Sequence, residues 1–419
     1  MTKEENALLV QIGPGTPCGE LMRRYWQPAA LSEELPMGAA PLPVRLLGED
    51  LVLFRDDQGR PGLLDIHCSH RGADLSYGRV EDGGLRCVYH GWLYNINGRC
   101  LDQPGEARGG DHRDSIRHPA YPCKERSGVI FAYMGPGEPP LLPNYEFLTV
   151  PEDHVFAIKL FQDCNYLQGN EGNFDPIHVS FLHYTNRKAP SAGAEAKELC
   201  SRGLAPMLEN VEVELADFGV RTCKVKKVGP NKHDLRYQNF VLPNLATFPG
   251  GQQGWGGYSC NWHVPIDDTH HWKYTFTFNR EKPLDKEMMR RSRADMTPDY
   301  KPTRNRANRY QQDRGTMRAE CYIGIGFNFQ IHDLCVTEGM GPIQDRTQEH
   351  LVSSDRGIVA QRKVLLKAIK DVQEGRDPAH VIRDPKLNRF PHMVVYSAVV
   401  PTSTSWKDYC EQLVAEARV

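Results

Sequence analysis

The sequence predicts an α+β protein, in which an all-β domain precedes a larger domain with a central antiparallel sheet flanked by helices. The first observation is a series of short apolar runs within residues 44–134, separated by turn-forming residues, as in successive strands. The second is a Pro- and Gly-rich stretch at 136–143, which is typical of a linker. The third is a mixture of helical and strand-like patterns after residue 150. With 419 residues, the chain is long enough for both domains to have hydrophobic cores.

These patterns divide the chain into three segments. An N-terminal arm covers residues 1–40 and contains one short helix at 20–25. The β domain covers residues 41–150, and the second domain covers residues 151–419. The elements expected in the second domain are a strand at 155–160, a helix at 164–182, several strands between 210 and 280, an amphipathic helix at 351–372 and a terminal helix at 406–417.

Composition argues against several classes of protein. The formal net charge is −2, so neither nucleic acid nor an anionic membrane is an expected partner. There is no run of about 18 apolar residues to span a membrane. The first residues also lack the apolar segment of a signal peptide. The 12 cysteines are scattered without regular spacing, which argues against a secreted disulfide framework. We therefore expect a cytoplasmic protein.

Two short motifs each combine one cysteine with one histidine: Cys68 with His70, and Cys87 with His90. Two thiolates and two imidazoles are the ligands of a Rieske [2Fe–2S] centre, in which the cysteines hold one iron and the histidines hold the other. A structural zinc site also accepts two cysteines and two histidines. Zinc motifs usually group like ligands, whereas each motif here carries one of each kind, so the pattern favours the Rieske centre.

The residues around these ligands resemble those of one family. Residues 68–73 (Cys-Ser-His-Arg-Gly-Ala) and 87–92 (Cys-Val-Tyr-His-Gly-Trp) are similar to the cluster loops of Rieske non-haem iron oxygenases. Both loops lack the extra cysteine of respiratory Rieske proteins, which favours the oxygenase branch. Residues 12–26, which open with Ile-Gly-Pro-Gly-Thr-Pro and close with Arg-Arg-Tyr-Trp, resemble the phthalate dioxygenase subgroup of α subunits. The resemblance extends over nearly the whole chain.

A second metal-binding pattern, Asp175, His178 and His183, lies about a hundred residues downstream. On an ideal helix, Asp175 and His178 would be neighbours about 60° apart, whereas His178 and His183 would lie about 140° apart. The helix must therefore bulge or break between the histidines if both are to reach one ion. Two histidines and one carboxylate leave open positions on a non-haem iron. The alternative is that these are ordinary polar residues of a helix.

The family resemblance assigns roles to these three residues. It implies that His178 and His183 are iron ligands. It also implies that Asp175 is a bridging carboxylate, which would bind His178 and His90 of the partner subunit. Two more polar residues, Glu171 and Asn173, lie beside the motif. Each could orient the metal ligands. The alternative for each is a helix cap or a solvent-facing position.

The third iron ligand should be a carboxylate far downstream. The segment around Ser353-Ser354-Asp355 resembles the one that supplies this ligand in the family, so Asp355 is favoured over Asp345 or Asp333. Ser-Ser-Asp is also good helix-capping chemistry, and a capping role is the alternative for Asp355.

The resemblance implies a terminal oxygenase. The Rieske cluster would store single electrons, and a mononuclear Fe(II) would activate O₂. Electrons from NAD(P)H would arrive through a separate reductase, with or without a ferredoxin, since the sequence has no flavin or nicotinamide fingerprint. In the family, electrons pass from one subunit's cluster to the next subunit's iron. This implies a head-to-tail homotrimer or a stacked homohexamer.

The subgroup acts largely on aromatic acids, by ring hydroxylation or by O-demethylation of methoxy groups. A substrate carboxylate would need a basic partner. The basic candidates, each of which could instead lie on a solvated strand face, are Arg221, Lys224, Lys226, Lys227 and Arg236. The aromatic candidates, each of which could instead belong to the core, are Phe248, Trp255 and Tyr258.

Two other classes of function are open at this point. A Rieske electron carrier without catalysis would need only about a hundred residues, and the second domain with its own histidine motif argues against it. A zinc-stapled binding protein would be colourless and would hold no iron.

Overall fold

A computed structural model describes residues 1–106, 112–185, 208–250, 256–291 and 295–417. Within these ranges the chain forms an N-terminal β unit and a second unit with a large antiparallel sheet and flanking helices. The predicted α+β fold is therefore confirmed. Among the described residues, no helix has the length and apolar character needed to cross a membrane.

Two helices open the chain, α1 (Lys3–Val10) and α2 (Pro17–Arg23). Each begins after a threonine whose side chain accepts a backbone N–H of the first turn. The end of α1 lies against the second unit, where the Tyr166 hydroxyl donates to the Leu9 carbonyl at 3.0 Å. The sequence predicted one helix in this segment, near α2. The missed signal for α1 was the capping box formed by Thr2 and the glutamate three residues later.

The β unit contains three antiparallel sheets. Its strands are β1 (Trp26–Leu31), β2 (Leu42–Leu46), β3 (Glu49–Arg55), β4 (Pro61–Asp65), β5 (Arg79–Glu81), β6 (Gly84–Arg86), β7 (Leu93–Tyr94), β8 (Cys100–Asp102), β9 (Ala120–Tyr121), β10 (Cys123–Arg126) and β11 (Val129–Tyr133). The strand orders are β1-β11-β10, β2-β3-β4-β9 and β5-β6-β7-β8. Because β1 pairs with β11, the β unit includes a strand from the segment expected to be an arm.

Strands β3 and β4 are buried on both faces and separate two parts of the hydrophobic core. Leu51 and Leu53 of β3 belong to the large core that continues into the second unit. Val52 and Phe54 point to the other face and pack with Cys68, Cys87 and their neighbours in a smaller core. This alternation follows from the two-residue repeat of a strand. It places the cluster loops directly on the sheet.

The second unit is built on one eight-stranded antiparallel sheet. Its strands are β12 (Val155–Gln162), β13 (Leu208–Ala216), β14 (Gly219–Gly229), β15 (Lys232–Val241), β16 (Leu245–Phe248), β17 (Ser259–Pro265), β18 (His271–Phe278) and β19 (Tyr396–Pro401). The strand order is β12-β18-β17-β16-β15-β14-β13, and β19 also pairs with β15.

Helices cover this sheet and connect it to the candidate site. They are α3 (Glu146–Thr149), α4 (Tyr166–Phe174), α5 (Lys286–Arg291), α6 (Phe329–Gly339), α7 (Arg356–Gln373) and α8 (Trp406–Ala417). Helix α4 packs on β16, β17 and β18, and α7 packs on β13 and β14. The predicted apolar face of α7 is buried through Ile358, Leu365 and Ile369.

Candidate metal centres

The two loops that carry the cysteine–histidine motifs have the same backbone design. In each loop, the cysteine carbonyl accepts the N–H of the glycine four residues later. The distances are 2.8 Å from Gly72 to Cys68 and 3.0 Å from Gly91 to Cys87. Both glycines have positive φ, 73° and 77°, which other residues rarely adopt. The loops are therefore tight, similar turns that hold their side chains in fixed positions.

Four potential ligand atoms meet between these turns. The rings of His70 and His90 lie 4.4 Å apart, and in the described part of the chain the buried Nδ1 atom of each has no hydrogen-bond partner. Buried polar atoms normally have partners. The thiols of Cys68 and Cys87 lie within reach of each other, and burial raises the pKa of Cys68. Two buried thiols and two unpartnered imidazole nitrogens fit a Rieske [2Fe–2S] cluster, which would displace the thiol protons.

A second layer of side chains supports the first cluster loop. The Tyr94 hydroxyl lies 3.2 Å from Cys68 Sγ. The Tyr94 ring stacks on His118, with centroids 4.6 Å apart. His118 Nδ1 lies 2.7 Å from the Ser69 hydroxyl, and its Nε2 lies 2.8 Å from the Asp65 carbonyl. Burial lowers the pKa of His118, which favours a neutral ring. Sequence reasoning missed Tyr94 and His118, although Tyr94 lies only four residues after His90.

The second candidate centre begins where α4 ends. The chain leaves the helix at Asp175, because proline at 176 disfavours helical backbone in the residue before it. The Asp175 carboxylate accepts two backbone N–H groups of the following turn, at 2.8 and 3.2 Å. One 3₁₀ turn then covers His178–Ser180. The expected helix at 164–182 is therefore broken in two places: the α-helix ends before His178, and the 3₁₀ turn ends at Ser180, between the two histidines.

His178 and His183 meet a carboxylate from a distant helix. Their ligand atoms and one oxygen of Asp333 all lie within 4.8 Å of one another. His183 Nε2 is 3.0 Å and His178 Nε2 is 3.8 Å from Asp333 Oδ1. Asp333 lies in the second turn of α6, whose N-cap is Asn328. Two imidazoles and one carboxylate, arranged around one point, are the donor set of a mononuclear non-haem iron.

The electrostatics of this group also favour a cation. Burial acts to raise the pKa of Asp333, but the hydrogen bond and charge of His183 and the charge of His178 outweigh it, and the pKa is lowered. Burial acts to lower the pKa of His178, but Asp175 and Asp333 outweigh it, and the pKa is raised. The pocket therefore stabilises positive charge between the three side chains. A divalent iron would supply that charge in place of protons.

Comparisons with known proteins agree with both centres. The family model of the Rieske [2Fe-2S] domain matches residues 25–122, and the model described as LigXa C-terminal domain like matches residues 132–418. The phthalate 4,5-dioxygenase oxygenase subunit of Pseudomonas putida is 34% identical over 98% of this chain and 94% of its own length. The chain belongs to the Rieske non-haem iron oxygenases. Within that family it is an α subunit of the phthalate dioxygenase-like subgroup.

Further relatives extend this result. The 5,5'-dehydrodivanillate O-demethylase oxygenase subunit of Sphingobium sp. is 32% identical over 93% of this chain and 85% of its own length. The terminal oxygenase of carbazole 1,9a-dioxygenase from Novosphingobium sp. KA1 has the same fold, with a TM-score of 0.56 at 22% identity over 86% of this chain and 93% of that one. The chain is thus the terminal oxygenase of a multicomponent system. A carrier without catalysis is not favoured.

The structure corrects the choice of carboxylate in this Rieske oxygenase. Asp355 does not join the histidines, because its carboxylate accepts the Val352 N–H at 2.7 Å and caps the turn that leads into α7. Asp345 likewise caps a turn, through the Thr347 N–H at 3.0 Å. The Ser-Ser-Asp pattern therefore indicates a helix cap, which was the alternative role given for Asp355. Asp333 carries no such local signal, since it lies inside an ordinary helical pattern.

Glu171 is neither a cap nor a solvent-facing residue. It is buried between two guanidinium groups, at 2.9 Å from Arg346 and 2.6 Å from Arg362. Burial acts to raise the pKa of Glu171, but the two arginines outweigh it, and the pKa is lowered. Within the described residues, this network connects α4 to α7 and includes none of the candidate iron ligands.

Asn173 faces the sheet. Its Oδ1 accepts from Asn261 at 2.7 Å and lies 2.8 Å from His263 Nε2. His263 Nδ1 lies 3.0 Å from His271 Nε2. Burial lowers the pKa of both histidines, so this chain of polar groups is neutral. It fixes α4 on β17 and β18, next to the segment that carries Asp175.

Two of the predicted basic residues, Lys224 and Arg236, lie near the turn that follows Asp175. Lys224 Nζ donates to the carbonyl of Pro176 at 3.2 Å, between Asp175 and His178 in sequence. Burial, aided by the charge of Arg236, lowers the pKa of Lys224 to about 8. Burial also lowers the pKa of Arg236. These two cations therefore lie in a poorly solvated region beside the turn that carries His178.

The other candidate pocket residues have different surroundings. Arg221 pairs with Glu214 at 2.5 Å, Lys226 is partly buried near the end of β14, and Lys227 is exposed there. Tyr258 is in the core, edge-to-face with Phe278 at 4.9 Å, and Phe248 ends β16. Trp255 lies outside the described residues.

Proposed function

We propose that this oxygenase hydroxylates an aromatic carboxylic acid, by ring hydroxylation or by O-demethylation, with O₂ and electrons from NAD(P)H. The observation that carries the substrate class is a pair of neighbouring cations, the buried Lys224 and the half-buried Arg236, beside the turn that carries His178. Relatives named for phthalate and for dehydrodivanillate support the same class.

Specific side chains hold the two metal centres in this proposal. Cys68, His70, Cys87 and His90 hold the Rieske cluster. His178, His183 and Asp333 hold the iron, with Asp333 in the place first expected for Asp355. When bound, the cluster supplies single electrons and the iron activates O₂. Asp175 orients the turn that carries His178, through two backbone hydrogen bonds and a contact of 3.4 Å to His178 Nδ1.

The strand register explains how the two cations reach one place. Lys224 of β14 is directly opposite Arg236 of β15, so both side chains lie on the same face of the sheet. Gln238, two residues further along β15, donates to the carbonyl of Phe174 at the end of α4. This face therefore lies under the turn that leads to His178. The buried Asp234 carboxylate, two residues before Arg236 on β15, is one anion for these two cations, and a substrate carboxylate would be a second.

The assembly is part of the same proposal. Both centres have exposed apolar side chains beside them: Val88 and Tyr89 at the second cluster loop are 57% and 56% exposed, and Phe181 and Phe329 near the iron ligands are both 44% exposed. These residues support a head-to-tail homotrimer, or a stacked homohexamer, in which Asp175 binds His90 of the partner subunit.

The electron donor in this proposal is a separate protein, a reductase with or without a ferredoxin. A solved structure similar to this chain is the reduced complex between oxygenase and ferredoxin in carbazole 1,9a-dioxygenase, with a TM-score of 0.56 at 21% identity over 91% of this chain and 97% of that one. We also retain the cytoplasmic location expected from the scattered cysteines.

The proposal is tested by product analysis. The oxygenase is incubated with a compatible reductase, NADH and O₂, and with aromatic acids that include methoxylated ones. The matched control compounds are the methyl esters of the same acids, which lack the negative charge. We expect the acids to be hydroxylated or demethylated and the esters to react at least about tenfold more slowly. Equal rates for acids and esters would contradict the substrate class, and the product itself separates ring hydroxylation from demethylation.

A pair of variants tests the cations directly. Lys224→Met should raise KM for the acid by about tenfold or more, because it removes a charge-assisted contact, while Lys227→Met on the exposed end of the same strand should change little. An unchanged KM in Lys224→Met would remove Lys224 from substrate binding.

A further inference from the structure

The two candidate iron-ligand histidines present their rings in the same way. Each directs Nε2 toward Asp333 Oδ1, so each turns Nδ1 away from that oxygen. His178 Nδ1 lies 3.4 Å from Asp175 Oδ2. His183 Nδ1 lies 3.4 Å from Nδ1 of a third imidazole, His332. A histidine that binds a metal through one nitrogen nearly always donates its other N–H to a fixed acceptor.

His332 is well suited to be that acceptor. It is fully buried and directly precedes Asp333 in α6. Its Nε2 lies 2.9 Å from the carbonyl of Gly326, which can accept a hydrogen bond from the Nε2–H group. Its ring is roughly parallel to that of His183, with centroids 5.5 Å apart and an interplanar angle of 28°. Helix α6 thus contacts His183 at both of its nitrogens, through Asp333 and through His332.

We propose that His332 is a positioning residue, which accepts the Nδ1–H of His183 and thereby holds Nε2 toward the metal. The inference rests on the iron site proposed above. A neutral imidazole carries one N–H and one lone pair. Once a metal takes the Nε2 lone pair of His183, the proton of that ring is on Nδ1. His332 then accepts with its own Nδ1 and donates Nε2–H to the Gly326 carbonyl.

A second contact defines the alternative tautomer. The carbonyl of Leu182 lies 3.1 Å from His332 Nδ1, and it can accept only when that nitrogen carries the proton. The two hydrogen bonds of Nδ1, to Leu182 and from His183, are therefore mutually exclusive. Metal binding selects the contact with His183.

A merely structural role predicts a different pattern of rescue. In that case His332 would matter for its bond to the Gly326 carbonyl, made by the ε nitrogen at the far end of the ring. Asparagine carries its polar atoms at the δ position, where they can replace Nδ1 but cannot reach Gly326. Glutamine carries them at the ε position, where they can replace Nε2 but not Nδ1. His332→Asn and His332→Gln therefore separate the two roles, and His332→Phe removes both contacts while keeping a ring.

The experiment measures Fe(II) affinity by anaerobic equilibrium dialysis of the full-length protein after its mononuclear iron has been removed. The visible absorption of the Rieske cluster reports that the β unit of each variant is folded, and far-UV circular dichroism reports on the helices of the second unit. We expect His332→Gln and His332→Phe to bind Fe(II) about 10- to 100-fold more weakly, and His332→Asn to stay within about threefold of the unsubstituted protein. Unchanged affinity in His332→Gln would overturn the inference. So would equal weakening in His332→Asn and His332→Gln, since an acceptor at the δ position would then have no effect.

The same assay separates this inference from the iron site on which it rests. His183→Ala and Asp333→Ala should lose the bound Fe(II). If they retain it, the iron site itself is wrong. If they lose it while His332→Gln binds normally, the iron site stands and only the role of His332 is excluded. If His332→Phe does not fold, the comparison of the Asn and Gln variants still decides the question.

Discussion

The Asp333 carboxylate lies with His178 and His183, whereas the Asp355 carboxylate accepts a backbone N–H. Substitution of each aspartate should therefore affect iron binding differently. Asp333→Asn should lose the mononuclear iron and all product formation, because the site would keep two neutral imidazoles and no charged ligand. Asp355→Asn should keep both, with at most the loss of a helix cap, about 0.5–2 kcal/mol. Iron analysis of the two purified variants checks this. Iron retained in Asp333→Asn and lost in Asp355→Asn would restore Asp355 as the ligand.

Tyr94 should influence the potential of the cluster. Its hydroxyl is 3.2 Å from Cys68 Sγ and can stabilise the extra negative charge of the reduced state. Tyr94→Phe should therefore lower the midpoint potential while the cluster stays bound, as measured by a redox titration followed by visible circular dichroism. Tyr77→Phe, at an exposed position of the same domain, is the matched control. A potential that is the same in all three proteins would show that the hydroxyl has no such effect.

Lys224 makes the proposed substrate contact dependent on pH. Its pKa, lowered to about 8 by burial, means that the positive charge is present below about pH 8 and lost above it. The value of kcat/KM for an aromatic acid should therefore fall as the pH rises through 8, since this parameter reports groups of the free enzyme. Lys224→Arg should move the fall to higher pH. The same profile in both proteins would exclude Lys224 as the group that titrates.

At the scale of elements, the sequence predicted those features that have a local cause. The four candidate cluster ligands could be proposed because each pair lies within one short motif, and α7 was predicted because its apolar face repeats along one segment. The break between the two histidines was expected, but the earlier end of α4 before the proline at 176 was not. Asp333 was not chosen, because only tertiary packing brings α6 to the histidines. The same reason explains why His332 was not noticed.

The network around Glu171 shows how one buried charge connects several elements. Glu171 of α4 binds Arg362 of α7 and Arg346 in the loop before it, and all three side chains are buried. Glu171→Gln should destabilise the protein by about 3–5 kcal/mol, because it leaves the buried Arg346 without its anion, although Arg362 keeps its pair with Glu349. Urea-induced unfolding measures this. Glu287→Gln, which breaks an exposed pair with Arg291 on α5, should cost at most about 1 kcal/mol.

The same network predicts an acid dependence. Since the folded state lowers the pKa of Glu171, its stabilising contribution is complete above the unfolded pKa of about 4.3 and is lost as the pH falls through the lower folded value. The unsubstituted protein should therefore lose more stability than Glu171→Gln on acidification below about pH 4. Parallel acid profiles for the two proteins would contradict the assignment.

At the scale of the whole molecule, the two centres belong to separate units of one chain, and each has exposed apolar side chains beside it. A head-to-tail ring would bury these side chains and bring the cluster of one subunit to the iron of the next. Within such a ring, Asp175 would have a partner on each side. Asp175→Asn should then slow reoxidation of the reduced cluster by substrate and O₂, although both metal centres remain filled. Reoxidation at the unsubstituted rate in a single-turnover experiment would exclude this role.

Mixed oligomers test the ring itself. Cys68→Ser removes a cluster ligand and His183→Ala removes an iron ligand, so each variant alone should be inactive. When the two are co-expressed, every mixed trimer contains one junction where an intact cluster faces the intact iron of the next subunit. Random assembly of equal amounts therefore gives about a quarter of the unsubstituted activity. If electrons stayed within one subunit, no mixed oligomer could turn over. Affinity tags on each variant verify that both are present in one trimer. If such mixed trimers are inactive, electron transfer takes place within the single chain.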